Sequence, residues 1–203
     1  MKEEIYEIIA KTRIIWNLNV NEKTRNVAFN WNKEGKWDVY IYNALSKSLV
    51  KVTEGKDSYL EPSFSHEGKS LLYVKDKDGD ENFQVILRDL NTNEERNLTN
   101  DPGHYYNLPK FSLDDNKIAV LSNRGGKPSQ LFLYEQGIIK ELTRWDEPIF
   151  NFEWMSNDEI VYVKGIYDTE IRLFNLKTSK DELLLKFEKS ETFLGDVEPQ
   201  KRK

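Results

Sequence analysis

The chain has 203 residues, and its 30 Lys and Arg against 35 Asp and Glu give a net charge of -5. This acidic balance favours solubility and argues against a broad phosphate-binding surface, so nucleic acid is not an expected partner. Apolar residues make up 38% and aromatic residues 12% of the sequence, enough to build a core. Cysteine is absent, which excludes disulfides, thiol nucleophiles and thiolate metal sites.

The sequence also predicts no contact with a membrane. No stretch approaches the roughly 18 to 20 consecutive apolar residues that span a bilayer. The N-terminus has no apolar segment of the kind found in signal peptides. Together with the absence of cysteine, these features lead us to expect a cytoplasmic protein.

The N-terminal segment, 1–13, is predicted to form a short amphipathic helix. Ile5, Ile8 and Ile9 fall on one side of such a helix, while Glu4 and Glu7 take the other. One interpretation is a helix that packs on its own domain. The other is an arm that docks on a second domain or subunit, and the apolar stripe is compatible with both.

A short apolar motif that ends in Leu-Thr, or in equivalent residues, occurs at the end of each of four successive segments. We call this motif the closing phrase. The four phrases are Val52-Thr53, Leu98-Thr99, Leu142-Thr143 and Leu184-Leu185. They recur at intervals of about 45 residues, and internal periods of this length are typical of a supersecondary unit that repeats along the chain.

Each repeat contains four short runs rich in β-branched and aromatic residues. In the second repeat, the runs include Leu71 to Val74 and Gln84 to Arg88, and Gly, Asn, Asp and Ser separate them. This composition is typical of strands. Four antiparallel strands in about 40 to 50 residues form one blade of a β-propeller, in which neighbouring blades bury each other's apolar faces.

We therefore predict an all-β fold, a β-propeller of about four four-stranded antiparallel blades that form a partial or open arc. The propeller is expected over residues 14–190, followed by a flexible tail over 191–203 where the repeat is lost. The predicted blades are 14–53, 60–99, 108–143 and 150–187. An open arc exposes strand edges, so we expect a homo-oligomer or docking onto a second propeller half.

Two turns and one longer stretch of the second blade carry a family resemblance. Residues 64–69 (Phe-Ser-His-Glu-Gly-Lys) and 111–117 resemble degenerate forms of the aromatic-Ser-Pro-Asp-Gly-Lys turn of TolB-like propeller repeats. Residues 76–99 are similar to an early blade in the N-terminal propeller of prolyl oligopeptidase family serine peptidases. Within that family, the acylaminoacyl peptidase branch is the nearest, and the resemblance covers residues 14–187.

The resemblance implies a C-terminal α/β-hydrolase domain with a Ser-Asp-His triad, which this sequence does not supply. A hydrolase of that fold places its serine in Gly-x-Ser-x-Gly, and this pentapeptide does not occur here. The two histidines, His66 and His104, lie in a blade turn and an inter-blade loop. We therefore assign no catalytic residue, and whether the chain takes part in an enzyme stays open.

Two functions of different classes remain. By resemblance, the chain is the non-catalytic propeller portion of an acylaminoacyl peptidase-like serine peptidase. It would gate substrate access and hold a hydrolase domain that the sequence lacks. The alternative is a stand-alone TolB-like propeller that serves as a protein-binding scaffold. Both imply a protein or peptide partner, and neither calls for a cofactor.

An acidic segment in the second repeat contains weak candidates for metal ligands. Asp76, Asp78 and Asp80 flank Gly79 and could offer oxygen atoms to a hard cation such as calcium. However, the calcium-binding helix-loop-helix motif requires Glu at its twelfth position, where this chain has Leu87. Asp-Gly is also a preferred hairpin turn, and we predict a turn without a metal.

Four residues form the candidate partner or substrate surface. His104, Tyr105 and Tyr106 lie in a predicted inter-blade loop, where propellers commonly bind ligands. The same rings could instead fill the gap between blades. Arg124, next to Gly125-Gly126, could help to bind an anion, but no helix follows the glycines and a turn is the better interpretation.

Overall fold

A computed structural model describes residues 11–192 and 194–195, which fold into sixteen strands in four sheets. The first sheet contains β1 (Ile15–Asn21), β2 (Asn26–Trp31), β3 (Asp38–Asn43) and β4 (Leu49–Lys51). The second contains β5 (Tyr59–Phe64), β6 (Ser70–Lys75), β7 (Gln84–Asp89) and β8 (Glu95–Asn97). The third contains β9 (Tyr106–Phe111), β10 (Ile118–Ser122), β11 (Gln130–Glu135) and β12 (Ile138–Glu141). The fourth contains β13 (Ile149–Ser156), β14 (Glu159–Lys164), β15 (Thr169–Asn175) and β16 (Lys180–Phe187).

Every sheet is an antiparallel meander in chain order, so each sheet is one blade, numbered 1 to 4 below. The predicted all-β fold of a partial propeller with four four-stranded blades is confirmed. The helix predicted for residues 1–13 falls mainly on residues 1–10, which lie outside the described residues. The described part of the chain contains no helix with the length and apolar character required to cross a membrane.

The apolar core lies between the blades rather than within them. Leu71 and Tyr73 of blade 2 pack with Ala28 of blade 1, whereas Leu72 and Val74 on the opposite side of blade 2 face blade 3. The third cluster joins blades 3 and 4 and includes Leu121, Leu131, Phe152 and Tyr162. Alternate residues of a strand point to opposite faces, so an inner blade requires apolar side chains at successive positions. This requirement explains the continuous apolar runs of the sequence.

The recurring aromatic-Ser turn connects the first two strands of a blade. In blade 3, the Ser112 hydroxyl donates to the Asp114 carboxylate over 2.7 Å and accepts the N–H of Lys117 over 2.9 Å. The hydroxyl lowers the pKa of Asp114 to about 2. In blade 2, Gly68 has a φ of +69°, and a Cβ there would lie 2.5 Å from Cγ2 of Thr24 in blade 1. The motif thus closes a turn and also permits close contact between blades.

The threonine of the closing phrase anchors the end of a blade to its third strand. In blade 3, the Thr143 hydroxyl accepts the N–H of Leu131 over 3.0 Å and donates to Oε1 of Gln130 over 3.1 Å. The same pair of bonds joins Thr53 to Val39 and Asp38, and Thr99 to Val85 and Gln84. The threonine hydroxyl of the closing phrase therefore holds the end of the blade against its third strand. We call this pair of hydrogen bonds the latch.

Candidate functional site

The first strands of all four blades line one groove with a volume of about 820 Å³. β5 contacts both β1 and β9, and Lys110 of β9 pairs with Glu153 of β13, so the four strands follow one another along the groove. We call this surface the axial groove. The charged residues that line it are Glu22, Lys23, Glu61, Glu67, Lys110 and Glu153.

A β-bulge occurs in the groove-lining strand of the first three blades. Asn17, Glu61 and Leu108 have φ values of 50°, 57° and 50°, and each lies where the pairing with the next strand shifts register. Bulges release backbone groups from the strand ladder and bend the strand. In blades 2 and 3, the neighbouring blade accepts the N–H of the bulged residue. The N–H of Glu61 donates to Oδ1 of Asn30 over 2.9 Å, and the N–H of Leu108 donates to the Glu61 carboxylate.

Two carboxylates and one ammonium group form the polar centre of the groove. Burial raises the pKa of Glu61, although the N–H of Leu108 and the charge of Lys110 act in the opposite direction. The Lys110 ammonium pairs with Glu153 of the next blade and donates to the carbonyl of Phe152 over 3.1 Å. The indole Nε1 of Trp154 donates to the carbonyl of Lys110 over 3.1 Å. The groove therefore offers fixed hydrogen-bond acceptors beside a cation.

His66 lies on the rim of the groove and links blades 2 and 3. Its Nδ1 is 3.0 Å from Oδ1 of Asp115, and its backbone N–H donates to the same oxygen over 2.7 Å. The N–H of Glu67 donates to the second oxygen of Asp115 over 3.1 Å. Asp115 thus binds three groups of the adjacent blade. This contact set is structural and brings no nucleophile to the imidazole.

The predicted partner surface lies outside the axial groove. His104 Nδ1 and the Tyr106 hydroxyl contact Asp101 over 3.0 and 2.9 Å, and Nε of Arg124 is 3.5 Å from the same carboxylate. Burial alone would raise the pKa of Asp101, but the hydrogen bonds from His104 and Tyr106 outweigh it and lower the pKa. Tyr106 is fully buried between blades 2 and 3, whereas Tyr105 is half-buried and donates its N–H to Asn123 over 3.0 Å.

The three candidate metal ligands bind three different partners. Asp76 is buried and accepts the N–H of Ser58 over 2.7 Å, and Asp78 pairs with Lys56. Asp80 accepts the N–H of Asn82 over 3.0 Å. Among residues 11–192 and 194–195, no three Asp, Glu or His side chains form a group suited to hold a metal ion. The segment has the contacts of a hairpin loop.

Sequence motifs do not predict the residues at the centre of the groove. Lys110 and Glu153 share a repeat position but differ in type, and Glu61 lies at another position, three residues before Phe64, so no motif marks the three residues. A positional signal does exist, since Lys110 and Glu153 each directly precede the aromatic residue of the repeated turn, Phe111 and Trp154. Alignment of the repeats on that aromatic residue identifies Lys110 and Glu153 but not Glu61, because Ser63 precedes Phe64 in blade 2.

Glu61→Gln is expected to gain stability relative to wild type as the pH rises. Because burial raises the pKa of Glu61 above 4.5, ionisation costs more in the folded than in the unfolded chain. The folded carboxyl therefore contributes stability below 4.5 that is lost as the pH rises through the raised pKa. Gln keeps an acceptor for the Leu108 N–H but has no charge. Urea unfolding at pH 4.5 and about pH 7 measures the difference.

The matched control for Glu61→Gln is Glu22→Gln, which removes an exposed carboxylate at the rim of the same groove. Equal pH dependence of the two variants would contradict the raised pKa assigned to Glu61.

Known proteins share the fold of this chain. No protein-family model and no curated protein sequence matches it. A TolB structure from Agrobacterium tumefaciens superimposes with a TM-score of 0.70 at 19% identity, covering 84% of this chain and 64% of that one. A puromycin-hydrolysing peptidase from Mycobacterium tuberculosis gives 0.65 at 14% identity, with 84% and 28% covered.

A third solved structure is itself a propeller domain. The β-propeller of the trilobed protease from Pyrococcus furiosus, described as having an open velcro topology, gives a TM-score of 0.61 at 15% identity. It is matched over 89% of this chain and 59% of that one. These three likenesses confirm, at the level of the fold, the resemblance to TolB-like and prolyl oligopeptidase-type propellers. The chain spans less than two thirds of each of these proteins.

Proposed function

We propose that this chain is the non-catalytic propeller portion of a prolyl oligopeptidase-type serine peptidase. In this role the axial groove admits peptide segments, restricts the size of what passes and helps to hold a hydrolase domain. The observation that carries the proposal is the groove itself, because all four blades contribute to it. The acylaminoacyl peptidase branch is the specific form that the sequence motifs favour.

The size and chemistry of the groove suit a short peptide. A volume of about 820 Å³ falls in the range of sites that take small ligands, about 300 to 1,000 Å³. A peptide backbone presents N–H donors and carbonyl acceptors in alternation. Glu61 and Glu153 can accept from such donors, and Lys110 can donate to such carbonyls.

A stand-alone TolB-like scaffold that binds a protein is the second candidate. It is favoured by the higher TM-score of the TolB structure and by the larger share of that protein that is matched, 64% against 28% for the peptidase. The exposed last strand also favours a partner. β16 has eight residues, and Leu183, Leu184 and Leu185 on it are about half exposed. An apolar edge of this length invites pairing with another chain, a second copy included.

Hydrolysis assays on acyl-peptide and short-peptide substrates separate the two functions. We expect no hydrolysis by the isolated chain and hydrolysis when the product of the neighbouring gene is added. Lys110→Gln should change the size or sequence preference of the mixture, because it removes the cation from the groove. Lys140→Gln is the matched control, since Lys140 is exposed on the outermost strand of the same blade.

The outcomes are distinct. Hydrolysis by the isolated chain would contradict a non-catalytic role. A mixture without hydrolysis, together with capture of a protein partner that Lys110→Gln weakens and Lys140→Gln does not, would favour the scaffold. An equal effect of the two substitutions in the active mixture would show that the groove does not select the substrate.

A further inference from the structure

A second cavity, of about 490 Å³, lies beside the loop that connects β10 and β11. It shares no residue with the axial groove. Its polar lining consists of His104, Arg124, Gly125, Gly126 and Glu141, and Phe132 and Ile139 supply an apolar wall. Neither of the functions considered above uses it.

One carboxylate orients two potential donors at this cavity. Asp101 lies 3.5 Å from Nε of Arg124 and 3.0 Å from Nδ1 of His104. In both residues, the nitrogen that contacts Asp101 is the one nearer to the backbone. Arg124 also has a side-chain hydrogen-bond interaction with the Tyr106 hydroxyl. Among residues 11–192 and 194–195, the terminal nitrogens of Arg124 and Nε2 of His104 donate to no carboxylate or carbonyl oxygen. A guanidinium whose Nε faces a carboxylate directs its terminal N–H groups away from that carboxylate, where they form a fork.

The acidic residue in the cavity does not compete for Arg124. Both carboxylate oxygens of Glu141 accept from Nη1 of Arg144, over 3.1 and 2.9 Å. Arg144 also donates from Nη2 to the carbonyl of Gly125 over 3.4 Å. The charge of Glu141 is therefore balanced by Arg144, and that of Asp101 by Arg124.

The two glycines leave the backbone open to a ligand. Gly125 and Gly126 have φ values of +83° and +72°, a conformation that side chains with a Cβ rarely adopt. A Cβ at Gly126 would meet no atom within 4 Å, so the space above it is free. The N–H groups of both glycines have no protein acceptor in the described part of the chain. Free N–H groups beside a guanidinium are typical donors to an anion.

We propose that this cavity binds an oxyanion of the carboxylate or phosphate class. The terminal N–H groups of Arg124 bind two of its oxygens in parallel, as guanidinium groups do with planar or tetrahedral oxyanions. The glycine N–H groups and His104 supply further donors. Phe132 and Ile139 form the apolar side of the cavity.

The test is an NMR titration of the full ¹⁵N-labelled chain with sodium acetate and, separately, with inorganic phosphate. Sodium chloride at equal ionic strength is the reference. We expect saturable shifts of the Gly125 and Gly126 amide signals with at least one of the two anions. Arg124→Gln should weaken that binding about tenfold, the effect of losing one charge-assisted contact pair. Arg124→Lys keeps the charge without the fork and should give an intermediate affinity.

Lys127→Gln is the matched control, because Lys127 lies in the same loop but pairs with Asp146 over 2.5 Å. It should leave the affinity unchanged within about twofold. Saturation with acetate alone assigns a carboxylate ligand, and saturation with phosphate alone assigns a phosphate. The proposal is overturned if neither anion gives saturable shifts at the two glycines. Equal weakening by Arg124→Gln and Lys127→Gln, in variants whose spectra stay dispersed, would also overturn it.

Discussion

Leu72→Ala is expected to lower the free energy of unfolding by about 2 to 5 kcal/mol. Leu72 is 0% exposed and belongs to the cluster that joins blades 2 and 3. Its strand, β6, is hydrogen-bonded on both sides, to β5 and β7, so the backbone cannot collapse into the space left by the missing methyl groups. Unfolding in urea, followed by circular dichroism, measures the loss.

The matched control is Leu45→Ala, the same change at a residue that is 75% exposed. We expect it to alter the free energy of unfolding by no more than about 0.5 kcal/mol. If Leu72→Ala were as mild as Leu45→Ala, the blades would not depend on each other for burial. The repeat architecture requires that dependence, because a single blade has no core of its own.

Thr143→Val is expected to lower the free energy of unfolding by about 1 to 3 kcal/mol, although Val has almost the same shape. The substitution removes the acceptor of the Leu131 N–H, which is then buried without a partner. Oε1 of Gln130 loses one donor but keeps the N–H of Trp145 at 2.8 Å. The cost therefore comes mainly from the backbone group. Urea unfolding of the purified variant measures it.

Thr143→Ser is the control for the latch, because it keeps the hydroxyl and removes only a methyl group. We expect Ser to retain most of the stability that Val loses. A result in the opposite order, with Val milder than Ser, would show that the methyl group rather than the hydroxyl matters at this position. The same comparison at Thr53 and Thr99 would show whether the latch acts equally in three blades.

In blade 4, the repeat in the sequence and the repeat in the structure do not coincide. The sequence repeat predicts Leu184-Leu185 as the fourth closing phrase, but both residues lie inside β16, whose pairing to β15 contains a bulge. The hydroxyl contact of this blade joins Thr169 to Thr192 over 2.9 Å. Because β16 is eight residues long, against three or four for the last strands of the other blades, the contact falls later in the chain.

The candidate sites were less predictable than the fold. The sequence left two roles open for the rings at 105 and 106, and the structure places the Tyr106 ring in the core, where its hydroxyl reaches Asp101. His104 and Arg124 belong to different loops, and only the packing of those loops brings both side chains to one carboxylate. A pair of residues from different loops produces no local sequence pattern that would identify it.

The sequence by itself determined the class of fold. Strand content, the apolar face of each strand and the period of the repeat are local properties, and they recur in every blade. Tertiary structure alone decided which side chains meet at the axis and between the loops. Glu61 bonds to Leu108 of the next blade, and Lys110 of blade 3 pairs with Glu153 of blade 4. Those contacts arise only when the blades pack, since the angle between the blades, and not the sequence within one blade, places the side chains together.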